Sequence, residues 1–318
     1  MSKNKFFALV CIAIILIIFS SCKNSKNSNS STTNNVDSIL NVVSYSSFAD
    51  DWGAGKKIIE IFEKDTGIKV NLIDAGAGAE LVSYVENNYN KKNIDVVVGI
   101  SDDFVNGNIK KYVDDIEEFD YSYYAFLKAK NSNIRPPRSL DDLLRKEYNK
   151  QFILIDPRTS AVGLGLLYWT YSVFGEEESN EWWKLAEENA LTVASSWTEA
   201  YGLFTNGEAP IVLSYYTSPW YDMYNGDEPY AETLEFEDGH IKCSEYMGIV
   251  KNTERKSNAK KFIEYMLNDS SQELLSSINV MYPKVNPERV LIKEPTNVVK
   301  KTSIGSEAII DSWTKEVL

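Results

Sequence analysis

Apolar and polar positions divide the chain into short strands alternating with amphipathic helices. Residues 39–45 form a run rich in Val and Leu, as a strand does. Ile58, Ile59 and Phe62 then share a helical face that ends at Gly67, a natural C-cap. A second strand is predicted over 68–73. After a loop with Gly76 and Gly78 come a helix over about 80–88 and a third strand over 94–100. That third run, IDVVVGI, is apolar throughout, as a strand buried on both faces is. Strand, helix, strand, helix, strand implies a parallel sheet with covering helices.

The pattern then resets. Residues 121–127 are β-prone and aromatic, and Pro136-Pro137 breaks the chain before a helix expected near Ser139. A second α/β series follows, with strands at 152–155, 191–194, 211–215 and 246–250. Its helices are expected at 163–174, 180–190, 198–204, 259–267 and 271–277. Two such series imply two lobes, and ligands of open α/β sheets sit beyond the carboxyl ends of the strands.

The N-terminus adds a destination. Lys3 and Lys5 precede an apolar run over 6–19, then Ser20, Ser21 and Cys22, the layout of a secretory signal peptide too short for a stable span. Cysteine directly after small residues fits a bacterial lipobox, so Cys22 is expected to carry lipid, with 1–21 removed and 22–38 a polar, flexible tether. Cys11 leaves with the signal and Cys243 stands alone, which excludes a disulfide framework or a cysteine-rich metal site. The net charge of −13 argues against nucleic acid and anionic lipid surfaces, and suits a cationic ligand.

Catalytic machinery is not visible. His240 is the one histidine and follows the turn signal Asp238-Gly239, so it reads as an exposed loop residue. GxSxG, Walker and GxGxxG patterns are absent. What stands out is aromatic residues after strands: Tyr45 and Trp52, then Trp197, then Tyr215, Tyr216, Trp220 and Tyr221. A ring over a flat or cationic ligand contributes about 0.5–2 kcal/mol. In IDPRTSAVGLGLL, Ser160 can cap a helix whose free N–H groups at Ala161, Val162 and Gly163 would form an anion site.

The segments YSSFADDWGAG, DVVVGI, FDYSYYAF, DPRTSAVGLGLL, WTEAYGLF, GEAPIVLSYYTSP, EDGH and MYP together resemble the bacterial periplasmic thiamine-binding proteins of ATP-driven uptake. The likeness implies a type II periplasmic-binding-protein fold, two α/β lobes joined by crossover strands with a ligand cleft between them. It implies lobe 1 over 39–126 plus about 250–297, lobe 2 over 127–249, and a C-terminal helical segment, 298–318, whose lobe the pattern leaves open. It further implies thiamine, thiamine monophosphate or thiamine diphosphate as transported ligand rather than a cofactor. The partners would be an ABC permease and its ATPase, served by a monomer that is neither an enzyme nor a nucleic-acid binder. By matching position, Tyr45, Trp52, Gly78, Ser160, Trp197, Tyr215, Thr217, Ser218 and Tyr221 are candidate pocket residues, with Ala161 and Tyr216 beside them. The family pattern has an acid at Ala77, Thr at Ala161, Trp at Val280 and Gly at Ser122, so the pocket departs from it there.

Two other readings are open. Tyr215-Tyr216 resembles the phenolate pair of ferric-binding proteins of the same fold. A thiaminase-like enzyme would need Cys243 activated by a histidine.

Overall fold

The computed structural model describes residues 39–318 except residue 77. The signal segment, Cys22, the tether and Ala77 lie outside the described residues. β1 (Ile39–Ser44) leads through the single-turn α1 (Ser46–Ala49) into α2 (Ala54–Thr66), whose C-cap Gly67 takes a left-handed φ of 72°. β2 (Lys69–Asp74), α3 (Ala79–Asn88), β3 (Val96–Ser101) and α4 (Asp102–Val105) complete the first series. β1 pairs in parallel with both β2 and β3. Successive valines serve opposite faces: Val96 and Val98 join Phe48, Ile58 and Phe62, while Val97 joins Leu81, Val85 and Ile109.

β4 (Val113–Ala129) is the long strand of which 121–127 is only the middle. β5 (Phe152–Ile155), α5 (Ala161–Phe174), α6 (Glu176–Asn189), β6 (Thr192–Ala194), α7 (Trp197–Thr205) and β7 (Ile211–Tyr215) form the second series. After them come α8 (Trp220–Tyr224), β8 (Ala231–Thr233), β9 (His240–Val250), α9 (Lys256–Met266) and α10 (Asp269–Leu274). β10 (Tyr282–Pro283), β11 (Val298–Val299) and α11 (Ser306–Val317) end the chain. The helix expected near Ser139 is instead a 3-10 turn, Asp141–Leu144, held by Ser139 Oγ accepting from Asp142 N at 3.1 Å.

The strands run in the order β2-β1-β3-β9-β4-β7-β5-β6. β4 is the joint of this order: Val113–Tyr123 pair antiparallel with β9, and Tyr124–Lys128 with β7. β9 crosses too, pairing with β3 through Ile249–Glu245 and with β11 at His240 and Ile241. The second half has its own core around Phe126, Phe152, Trp169, Trp183 and Phe204. The C-terminal segment belongs to that half. Ile309 and Trp313 of α11 lie in its core, with the Trp313 ring edge-on to Trp183 at 5.6 Å.

His240 is not an exposed loop residue. Gly239 does make the turn, with φ 80°, but His240 opens β9 and is fully buried. Its Nε2 accepts from Phe236 N at 3.2 Å, which leaves Nδ1–H to donate to Tyr124 O at 3.0 Å. Burial lowers its pKa, so it stays a neutral structural link between β9 and β4.

Candidate functional site

The start of α5 meets the first half of the molecule. Ser160 caps the helix, its Oγ accepting from Val162 N at 3.2 Å. Two glycines let the helix sit this deep. A Cβ at Gly163 would lie 2.5 Å from Ile155 O, and one at Gly165 would fall inside the Tyr124 ring. Tyr124 Oη in turn donates to Ala161 O at 3.2 Å. Across from it, Gly78 precedes α3 with φ 56°, and a Cβ there would stand 3.8 Å from Ala161 Cβ and 4.0 Å from Ala161 N. The fold therefore brings together Gly78, Ser160 and Ala161, from opposite halves.

Beside them runs an aromatic wall. Tyr124 stacks on Tyr215 with centroids 5.8 Å apart, Tyr215 meets Trp197 at 6.3 Å, and Trp197 stacks on Tyr201 at 5.0 Å. Serines lock the wall in place. Trp197 Nε1 donates to Ser214 Oγ at 2.9 Å, Ser214 and Ser218 hydroxyls are 2.9 Å apart, and Ser218 Oγ accepts from Tyr215 N at 3.3 Å. Ser218 thus orients Tyr215. Thr217 is buried, its hydroxyl 2.8 Å from Ser122 on β4, so the Ser at that position ties the loop after β7 to the crossover strand.

Tyr215 and Tyr216 point apart, as neighbouring strand-end residues do. Tyr216 packs edge-on to His240 at 5.1 Å and its hydroxyl donates to Glu235, away from the wall. Two phenols that diverge in this way do not converge on one ferric ion. Among the described residues no cluster of three His, Cys, Asp or Glu could hold a metal. Val280 takes φ 59°, strained for a β-branched residue, and packs on the cluster of Tyr121, Tyr123, Tyr216, Trp220 and Tyr282. The position where the family pattern has Trp therefore borders Tyr216 and Trp220. Trp52 and Tyr221 are 57% and 55% exposed, so neither serves the core.

A further polar group, not singled out by the sequence pattern, is carried by the two crossover strands. Asp120 of β4 lies directly opposite Glu245 of β9. Tyr45 Oη donates to Glu245 Oε2 at 2.7 Å and approaches Asn279 Oδ1 at 3.1 Å, and Asn279 Nδ2 donates to Asp120 Oδ2 at 2.7 Å. Burial raises Glu245 to about 7, and burial followed by the Glu245 charge lifts Asp120 well above the carboxylate range. The Tyr215 phenol is raised by burial, then by the charges of Cys243, Glu245 and Asp120. The signal was an acid among aromatic or apolar neighbours, in FDYSYYAF and CSEYMGIV. Cys243 is buried and its thiol is pushed well up, first by burial, so it stays protonated.

The family model for bacterial extracellular solute-binding proteins matches residues 124–303. The thiamine-binding periplasmic protein of Escherichia coli strain K12 is 33% identical over 267 residues, covering 78% of this chain and 81% of its own length. A solved periplasmic thiamin-binding protein superposes with a TM-score of 0.79 at 29% identity, over 88% of this chain and 96% of its own. Iron-bound HitA from Pseudomonas aeruginosa shares the fold, with a TM-score of 0.72 at 17% identity over 88% and 99% of the two chains.

Proposed function

This chain belongs to the bacterial extracellular solute-binding proteins, in the type II fold of the thiamine-binding periplasmic branch, and we propose that it captures thiamine for import. The observation that carries this reading is an aromatic wall, Tyr124–Tyr215–Trp197, whose Tyr215 feels the charge of a cross-strand acid pair, Asp120 and Glu245. Thiamine joins a flat aminopyrimidine to a cationic thiazolium: the rings serve the first, and rings and carboxylates the second. The phosphates of thiamine monophosphate and diphosphate would sit at the α5 N-terminus beside Ser160 and Ala161, where N–H groups and the helix dipole favour an anion. Tyr45, Trp52, Gly78, Thr217, Ser218 and Tyr221 complete the proposed pocket, some as contacts and others as supports of the wall, while Tyr216 faces away from it.

In this reading the protein is exported, held at the membrane by lipid on Cys22, and acts as a monomer that delivers its ligand to an ABC permease and ATPase. It holds the ligand without altering it. Trp197→Ala is expected to weaken thiamine by about 1–2 kcal/mol through lost stacking and cation–π contact, measured by calorimetry. The half-buried ring sits at a helix start, so the far-UV spectrum should not change. An unchanged dissociation constant would remove Trp197 from the pocket.

A further inference from the structure

The wall can hold any flat ring; the pair whose charge reaches Tyr215 is acidic. Asp120 and Glu245 are cross-strand neighbours on the two crossover strands, and Asp120 is fully buried. Asn279 takes Asp120 Oδ2, while Oδ1 is buried on the position opposite Glu245 with no partner. Glu245, half-buried, accepts the Tyr45 hydroxyl on Oε2 and has the Asn279 amide beside it. The nearby cations are engaged elsewhere: Lys242 and Lys284 pair with Glu118, and Lys301 with Asp102 and Asp103. Among the described residues no lysine or arginine pairs with Asp120 or Glu245. A buried carboxylate with a half-buried one opposite it and no counter-ion is costly, and an orphaned buried oxygen calls for a partner.

We propose that the Asp120–Glu245 pair, framed by Tyr45 and Asn279, is the counter-charge that makes this cleft select a cationic ligand over a neutral one of the same shape. The inference rests on the thiamine reading of the cleft and names the group that reads the ligand's charge. The groups facing the pair are Tyr45 beyond β1, Glu118 on β4, Tyr215 at the end of β7 and Cys243 on β9. Glu118 is held below its usual range by its lysine and serine partners and stays ionised. The tyrosines and the thiol are raised and stay neutral, so among the groups facing one another here it is Glu245 that exchanges a proton near neutrality. A cation drawn beside the pair favours the ionised form, so binding releases a proton and strengthens as pH rises through about 7.

The test is calorimetric titration of wild type and Glu245→Gln at about pH 6 and about pH 8. The probes are thiamine and an uncharged analogue with a thiophene in place of the thiazolium. Gln keeps an oxygen for Tyr45 and removes one charge. Wild type should bind thiamine more tightly at the higher pH and the analogue equally at both. Glu245→Gln should weaken thiamine about tenfold at the higher pH, flatten its pH dependence, and leave the analogue within about twofold. Unliganded Glu245→Gln should melt no lower than wild type, because a like charge has been relieved. If it does not fold, Asp120→Asn must show the same pattern. Equal loss of both ligands, or no loss of thiamine, overturns the proposal while leaving thiamine capture intact. Wild type that binds neither overturns the thiamine reading and this proposal with it.

Discussion

Gly99→Ala is expected to destabilise the fold by about 3 kcal/mol and to abolish tight ligand capture. Gly99 interrupts the β3–β9 register between Val98 and Ile100 and takes φ 90°, a region that penalises any Cβ. Its missing side chain also makes room for Tyr45, since a Cβ there would fall inside the Tyr45 ring. Either the strand straightens or the ring leaves, and the ring carries the hydroxyl bonded to Glu245 and Asn279. Gly67→Ala is the control. It has a comparable φ of 72° with nothing within 4 Å of the added carbon, so it should cost only about 1 kcal/mol. Urea denaturation of both variants separates the backbone penalty from the clash, and equal midpoints would mean that the Tyr45 packing contributes nothing.

Lys301→Met should cost a further large amount, about 3 kcal/mol, because it strands two carboxylates where the halves of the molecule meet. Lys301 is anchored to the second half, with Thr302 N donating to Ser172 Oγ of α5 at 3.0 Å and its ammonium 4.1 Å from the centroid of the Tyr168 ring. That ammonium pairs with Asp103 and lies 3.3 Å from Asp102, at the start of α4 in the first half. The Asp103 side chain is fully buried, and burial followed by the Asp102 charge raises it to about 7 even with the lysine present. Without Lys301 the carboxylates rise further. A carboxylate whose folded pKa is raised stabilises the fold only while protonated, so its contribution fades as pH climbs past the unfolded value toward the folded one. The deficit of Lys301→Met should therefore be larger near pH 8 than near pH 6. A pH-independent deficit would assign the loss to packing on Tyr168 instead.

Much of this was legible in the residues. The two α/β series, the capped helix after IDPRTS and the aromatics after β1, β6 and β7 follow from periodicity and caps, because each is set by local chemistry. β4 was half hidden: its first part, VDDIEE, is charged, and irregularities near Asp114/Glu117 and Glu118/Asp120 break the two-residue alternation that marks a strand. His240 was misread because its Asp-Gly turn is real but the strand begins one residue after it. Each acid carried a signal of its own, but their pairing could not be read from the residues. Asp120 and Glu245 are distant in sequence, and only the register of two crossover strands places them side by side. The divergence of Tyr215 and Tyr216 is likewise a matter of which face each ring takes, which a list of residues does not contain.

Capture of thiamine is the central claim, and native mass spectrometry of the full chain as purified from cells tests it most directly. The claim predicts a population heavier than the bare chain by the mass of thiamine or one of its phosphates, returning to the bare mass after mild unfolding and refolding, and reappearing on addition of thiamine. A chain that carries no such mass and gains none with millimolar thiamine would contradict it.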